Sequence, residues 1–128
     1  MSHTDSTTQE SDRQILAKAL RRLLELWNLD ELQSAWLLGL DPKDANLATI
    51  RNGESLPDQA ALIARARLLL RVHRNLQLLL PTSPQVASKW MQAPNPALDG
   101  NTPLATIRDE GDAGADKIAA LLQRQSAR

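Results

Sequence analysis

The stretch from Leu29 to Pro57, LDELQSAWLLGLDPKDANLATIRNGESLP, constrains the fold of this chain more than any other. Its first part repeats apolar residues on or beside one helical face, which predicts a helix; these residues are Leu32, Ala35, Trp36 and Leu38. Gly39 then breaks the pattern and permits a tight turn that a residue with a Cβ atom would resist. We therefore predict a helix that ends in a glycine turn.

A second helix is predicted to follow this turn. Asp41-Pro42 combines a good N-cap with a residue suited to the first helical position. Leu47 and Ile50 give the helix an inward side, and Asn52-Gly53 is suited to end it. The order helix, turn, helix is that of a helix-turn-helix, whose second helix can enter a DNA major groove. Two packed helices in any small α domain would show the same pattern.

Five polar residues of this second helix lie off its apolar side: Lys43, Asn46, Thr49, Arg51 and Asn52. Lys and Arg can neutralise phosphate or bind guanine, Asn can bind adenine through two hydrogen bonds, and Thr can serve either use. Asp41 and Asp44 place negative charge nearby and weaken this interpretation. Because any exposed helix carries similar residues, a solvated face stays open as the alternative.

Two longer helices are predicted around this pair. The first begins at Ser11 or Asp12 and carries an apolar row that ends at Trp27, and residues 1–10 are expected to be a disordered tail. The second is started by Ser55–Asp58 and runs to about Leu80, and Pro81–Pro84 is expected to stop it. Its apolar row consists of Leu62, Ala66, Leu69, His73, Leu76 and Leu80. His73 in this row is expected to be a packed or hydrogen-bonded imidazole. Its polar side carries Arg67, Arg71 and Arg74 as a solvated face. Trp27 and Trp36 are both predicted to be core residues.

Composition favours an all-α fold, because Leu and Ala supply most of the apolar content and Phe and Tyr are absent. There is no cysteine and no apolar run long enough to span a membrane, so we expect a cytoplasmic protein without disulfides. Net charge is zero, but residues 11–80 carry ten Lys and Arg against eight Asp and Glu. So small an excess predicts that DNA binding requires a homodimer or specific contacts.

The C-terminal part is predicted to consist of short helices: one over residues 85–93, one that begins at Thr102-Pro103, and one over Ala115–Gln125. Asp109–Gly114 is predicted to be a break, which would leave the last helix at the edge of the domain with Ile118, Leu121 and Leu122 available to a partner. The alternative is that this helix closes the core. No catalytic constellation, metal site or cofactor motif is present in the sequence, which favours a binding protein over an enzyme.

Residues 15–125 resemble the MbcA/ParS/Xre antitoxin family. The most specific segment is ASKWMQAPNPALDGNTPLATI, which is similar to the family's W…PN..F.G..PL pattern. LLELWNLDELQSAWLLGL, ARLLLRVHRNLQLLLP and EGDAGADKIAALLQ are similar to its other helices in the same order. Leu98-Asp99 departs from the Phe-Gly that the family often has. The segment from Gly39 to Gly53 is about two residues longer than usual, which leaves the register of the base-contacting residues open.

This resemblance implies an Xre or lambda-repressor-like helix-turn-helix domain over residues 11–80 and a toxin-binding-type region over 81–128. It implies binding to double-stranded operator DNA, repression of the protein's own operon, and neutralisation of a RES-domain toxin that consumes NAD. The residues expected to contact the toxin are Trp90, Asn95, Leu104, Ile118, Leu121 and Leu122. A stand-alone transcriptional regulator without a toxin is the alternative.

Overall fold

All regular elements in the described part of the chain are helices, as predicted. The computed structural model describes residues 2–80 and 84–126, with side chains over 10–80 and 85–125. The helices are α1 (Ser2–Leu26), α2 (Glu31–Leu38), α3 (Ala45–Arg51), α4 (Ala60–Leu79), α5 (Pro84–Gln92), α6 (Pro103–Glu110) and α7 (Asp112–Ser126), and a short 3-10 helix (Pro96–Leu98) lies between α5 and α6.

Helix α1 begins earlier than the sequence predicts. The helix starts at Ser2, whereas residues 1–10 were predicted as a tail with a cap at Ser11 or Asp12. No proline or glycine occurs before Leu26, so nothing in the covalent backbone stops the helix from extending. At the other predicted boundary, α4 ends at Leu79, and residues 81–83 of the predicted stop lie outside the described residues.

One apolar cluster holds the helices together. Its largest contributions come from three helices: Ala17, Leu20, Leu23 and Leu24 of α1, Leu62, Ala66, Leu69, Val72 and Leu76 of α4, and Ala115, Ile118, Ala119, Leu121 and Leu122 of α7. The α4 residues are close to the predicted apolar row, with Val72 buried beside the half-buried His73. Side chains from both predicted regions, 11–80 and 81–128, therefore share this cluster.

Trp27 lies at the centre of the cluster and joins three helices. Its side chain is fully buried, which confirms the predicted core position. The indole Nε1–H donates to His73 Nδ1 on α4 at 3.0 Å. The Trp27 carbonyl oxygen accepts from Ser88 Oγ at 2.9 Å and from Gln92 Nε2 at 3.1 Å, both on α5. His73 is thus a hydrogen-bonded, packed imidazole, as predicted.

The Trp27–His73 hydrogen bond requires a neutral histidine. An indole nitrogen can only donate, so His73 Nδ1 must carry a lone pair. Burial, and secondarily the positive charge of Arg22, lower the pKa of His73 below its ordinary value of 6.5. The unfolded chain therefore binds more protons than the folded chain between the lowered pKa and 6.5, and the free energy of unfolding falls as pH drops through that window.

We expect the melting temperature to decrease as pH is lowered from about 7 to about 5, the range in which an ordinary histidine titrates. His73→Gln should lose most of this dependence, whereas His3→Gln, which removes the only other histidine, should keep it. Thermal melts followed by circular dichroism across this range test the prediction. Equal pH dependence in wild type and His73→Gln would contradict it.

The predicted break over Asp109–Gly114 is confined to one residue. Helix α6 continues to Glu110, Gly111 turns the chain at φ 65°, and α7 begins at Asp112. Gly114 lies inside α7, where a Cβ atom would be 2.5 Å from the Thr106 carbonyl oxygen. The glycine therefore permits close packing of α6 and α7 instead of a turn. The predicted start of α6 is confirmed, because Thr102 Oγ1 accepts from Ala105 N at 2.9 Å.

Within the described ranges, no helix combines the length and the apolar character needed to cross a membrane.

Candidate DNA-binding and partner-binding surfaces

Helix α2 is fixed at both ends by local hydrogen bonds. Asp30 and Gln33 form a reciprocal capping box at its start, with Gln33 N donating to Asp30 Oδ1 at 2.8 Å. At its end, Gly39 adopts φ 70° and its N–H and that of Leu40 donate to carbonyls of the last turn. The predicted glycine turn is confirmed, and it sets the direction in which the chain leaves α2.

The buried side of α2 differs from the predicted one. Its buried residues are Ser34, Ala35, Leu37 and Leu38. Leu32 is 46% exposed and Trp36 is half-buried, so the predicted core position of Trp36 is wrong. Ser34 can be buried because its hydroxyl donates to the Asp30 carbonyl at 2.7 Å. Trp36 instead lies on the surface beside α6, where the Arg108 guanidinium is 5.1 Å from the ring centre.

Helix α3 begins three residues later than predicted. Asp41 accepts from Lys43 N at 2.8 Å within the connection, and Asp44 accepts from Asn46 N at 2.8 Å as the N-cap of α3. Both aspartates accept a backbone N–H group in the manner of an N-cap, and the second of them, Asp44, begins the helix. Both carboxylates have structural roles in the turn, which accounts for acidic residues close to the exposed side of α3.

The five predicted DNA-binding residues occupy three different settings. Lys43 is exposed but lies in the connection before α3, and Asn52 is exposed as the C-cap after it. Asn46 and Thr49 are half-buried on the helix, and Thr49 Oγ1 donates to the Ala45 carbonyl at 3.4 Å. Arg51, the last residue of α3, is exposed. The exposed cations therefore flank the helix instead of forming one row along it.

The inward side of α3 confirms the predicted pair, because Leu47 and Ile50 are both buried. Its outer side also exposes Ala45 and Ala48, which were not predicted as candidates. Small apolar residues allow a helix to approach bases closely and can contact the thymine methyl group. Residue type alone gave no reason to single out these two alanines, because alanine is common on both sides of helices.

A cleft between α1, α2 and α3 borders this surface. Its walls include Arg21, Ala48, Arg51 and Asn52, together with Glu25 and Glu31. Arg21 forms an exposed ion pair with Glu25 at 3.1 Å and donates to the Asn52 carbonyl at 3.4 Å. The two arginines bring positive charge to the end of α3, and the two glutamates offset part of it.

Arg65 on α4 joins α2 to α7. Its side chain is 13% exposed, its Nη1 donates to the Leu37 carbonyl at 2.8 Å, and its Nε pairs with Asp112 at the start of α7. The guanidinium also lies against Gly39 and Gly111, the glycines of the two turns. Sequence reasoning missed this residue because its partners are 28 and 47 positions away along the chain.

The predicted toxin-contacting residues are mostly buried. Leu104, Ile118, Leu121 and Leu122 all belong to the core, and Trp90 is half-buried against it. The expectation that the last helix leaves Ile118, Leu121 and Leu122 free for a partner is therefore not met in this structure, because α7 packs against α4 and α6 with its apolar side inward. The alternative, in which this helix closes the core, describes the structure.

Asn95 organises the turn within the PNPALDG segment. Its Oδ1 accepts from Ala97 N at 3.0 Å, and its carbonyl accepts from Leu98 N and Gly100 N. Leu98 is buried, so an aliphatic side chain fills the position where an aromatic residue was expected. Asp99 adopts φ 58°, a left-handed conformation that Asp tolerates better than most residues. The turn is thus preserved despite its departure from the expected Phe-Gly.

In contrast to the buried residues predicted to contact the toxin, two large apolar side chains on α4 and α5 are exposed. Leu78, near the end of α4, is 67% exposed, and Val86 on α5 is 38% exposed. Among the described residues, no group of three or more His, Cys, Asp and Glu is arranged to hold a metal ion. The candidate binding surfaces are therefore characterised by their shape, their charge and their exposed apolar side chains.

Comparisons with known proteins agree with this architecture. Residues 75–127 match the family described as "Antitoxin Xre/MbcA/ParS C-terminal toxin-binding domain". A chain in the crystal structure of the M. tuberculosis MbcT-MbcA toxin-antitoxin complex has a similar fold, with a TM-score of 0.61 and 22% sequence identity over 88% of this chain and 95% of that one. A search of curated proteins finds no match.

Residues 75–127 thus resemble an antitoxin's toxin-binding domain, and the helical fold resembles that of a chain in a toxin–antitoxin complex. This similarity covers the C-terminal part of the chain, and α2 and α3 lie outside it.

Proposed function

We propose that this chain is an antitoxin that binds operator DNA through α3 as a homodimer, represses its own operon and neutralises a RES-domain toxin that consumes NAD. One observation supports the DNA-binding half most strongly. Helix α3 buries only Leu47 and Ile50, so the rest of this short helix is available to a groove. The turns at Gly39 and Gly53, each with positive φ, hold it in a defined direction.

The toxin-binding half is supported by the match of residues 75–127 to a family model of an antitoxin's toxin-binding domain. These residues begin on α4 and include α5, α6 and α7, so the proposed toxin-binding region and the helices that support α3 share α4 and the same apolar core. A binding role, without catalysis by this chain, accounts for such an architecture. The toxin's dependence on NAD follows from the family resemblance.

Dimerisation follows from the size and charge of the DNA-binding surface. Lys43 and Arg51 are the exposed cations next to α3 in sequence, Arg21 adds one from α1, and Asp41, Asp44 and Glu54 lie close to Lys43 and Arg51 in sequence. One copy therefore offers few phosphate contacts, and two copies on half-sites about 10 base pairs apart would double them.

Lys43→Ala and Arg51→Ala are expected to weaken binding to DNA from upstream of the gene. Loss of a single phosphate contact should reduce the slope of log affinity against log salt by about one. Fluorescence anisotropy with a labelled fragment at several salt concentrations measures both quantities. Lys117→Ala, which removes the same charge from an exposed position on α7, is the matched control.

Operator affinity and salt slope equal to wild type in both α3-flanking variants would exclude these residues from the interface. If the wild-type chain binds its operator but no RES-domain protein, the stand-alone regulator is the correct alternative.

A further inference from the structure

The outer side of α4 carries an unusual row of exposed residues. Arg67, Arg71, Arg74 and Leu78 follow one another at spacings of four, three and four, and all four are exposed. We call them the α4 outer row. Residues at these spacings lie on one side of a helix, so three cations and one large apolar side chain form a continuous stripe.

Few acidic side chains lie close enough to neutralise the positive charge of the row. Arg71 Nη1 pairs with Asp116 on α7 at 3.3 Å, and both side chains are at least half exposed. Arg67 borders a cleft whose walls also contain Asp12 and Asp58. Arg74 forms no ion pair with any residue in the described ranges. The stripe therefore becomes more positive toward Leu78.

Leu78 is the most exposed large apolar residue in the described part of the chain, at 67%. Exposing such a side chain has a cost in water, and grouping it with arginines is typical of protein interfaces, where Arg is enriched and an apolar anchor is surrounded by polar residues. Leu78 also lies inside residues 75–127, the segment that matches the family model of a toxin-binding domain.

We propose that the α4 outer row is a docking surface for the toxin, with Leu78 inserted into an apolar pocket and the arginines facing an acidic patch on that protein. This inference rests on the proposed toxin-binding function. The positive stripe favours an acidic partner. DNA is also acidic, but a phosphate backbone offers no pocket for Leu78, and Leu78 lies in the toxin-binding segment. The surface of α4, and not the buried side of α7, then supplies the exposed contacts.

The experiment compares the full-length chain with Leu78→Asp and Arg74→Glu in binding to the RES-domain protein encoded in the same operon. We expect the Kd measured by calorimetry to rise at least about tenfold for each variant, as for residues at the centre of an interface. Ile15→Asp is the matched control because Ile15 is 64% exposed on α1, outside residues 75–127, and its variant should bind as wild type does. Thermal melts establish that each variant is folded.

Four outcomes would overturn the inference. Wild-type affinity in folded Leu78→Asp and Arg74→Glu would exclude the row from the interface while leaving toxin binding intact. Weakened operator binding with unchanged toxin binding would make the row a DNA contact. If these variants have a lower molecular mass in solution than the wild-type chain and bind the toxin equally well, the row is a contact between copies of this chain. Absence of toxin binding by the wild-type chain would overturn the proposed neutralisation as well.

Discussion

Removal of Gly114–Arg128 is expected to unfold the chain instead of merely abolishing partner binding. The truncation deletes Ile118 and Leu122, both fully buried, and Leu121, which is 6% exposed. Burying three such side chains contributes roughly 5–9 kcal/mol, which is comparable to the whole stability of a small domain. It would also uncover α4, to which α7 is joined by a hydrogen bond from Asn75 Nδ2 to the Ala119 carbonyl.

Far-ultraviolet circular dichroism and thermal melting of the truncated chain test this expectation. Removal of only Gln125–Arg128 is the control, because it ends the chain beyond Leu122, the last core residue of α7 in the described part. If the chain without Gly114–Arg128 unfolds cooperatively at the wild-type melting temperature, the structure is contradicted. Operator binding by a folded truncation would show that α7 is an edge helix, as the sequence first predicts.

The long helices could be predicted because their periodicity extends over many turns. In α4 the buried residues Leu62, Ala66, Leu69 and Leu76 all belong to the predicted row. Trp27 was predictable for the same reason. In the eight-residue α2, by contrast, five of the last six residues are neither charged nor amide-bearing, and three of these are large and apolar or aromatic. Several inward sides are therefore equally consistent with the sequence. Tertiary packing then decides that Leu37 is buried and Trp36 is not.

Local signals were misleading where one residue type serves two purposes. Asp41 and Asp44 both accept backbone N–H groups, and the sequence contains no information on which of them begins α3. Gly114 is predicted to be part of a break, but it lies inside α7. Its lack of a side chain lets the Thr106 carbonyl approach closely. Such a role depends on a contact between helices, which local sequence does not encode.

The candidate surfaces were harder to predict than the fold. Lys43 and Arg51 are exposed as expected. The α7 residues predicted to bind a partner, Ile118, Leu121 and Leu122, are buried because they complete the core. Apolar periodicity identifies a side that must be covered and does not say whether this chain or a partner covers it. Leu78 lies off the periodic row, so its exposure emerges only from the structure.

The second prediction with a large effect concerns toxin neutralisation. The proposed function predicts that a RES-domain protein encoded beside this gene consumes NAD alone and stops doing so when the full-length chain is added at an equimolar ratio. The reason is steric, since the family resemblance implies that the antitoxin covers the entrance to the toxin's active site. Lys43→Ala should neutralise as well as wild type, because Lys43 lies in the connection before α3 and outside residues 75–127.

Measurement of NAD consumption with increasing amounts of the folded chain is therefore the most direct test that this protein acts as the antitoxin of such a toxin. We predict a linear decrease in rate that reaches zero at equivalence. An unchanged rate in a large molar excess of the folded chain would contradict that function.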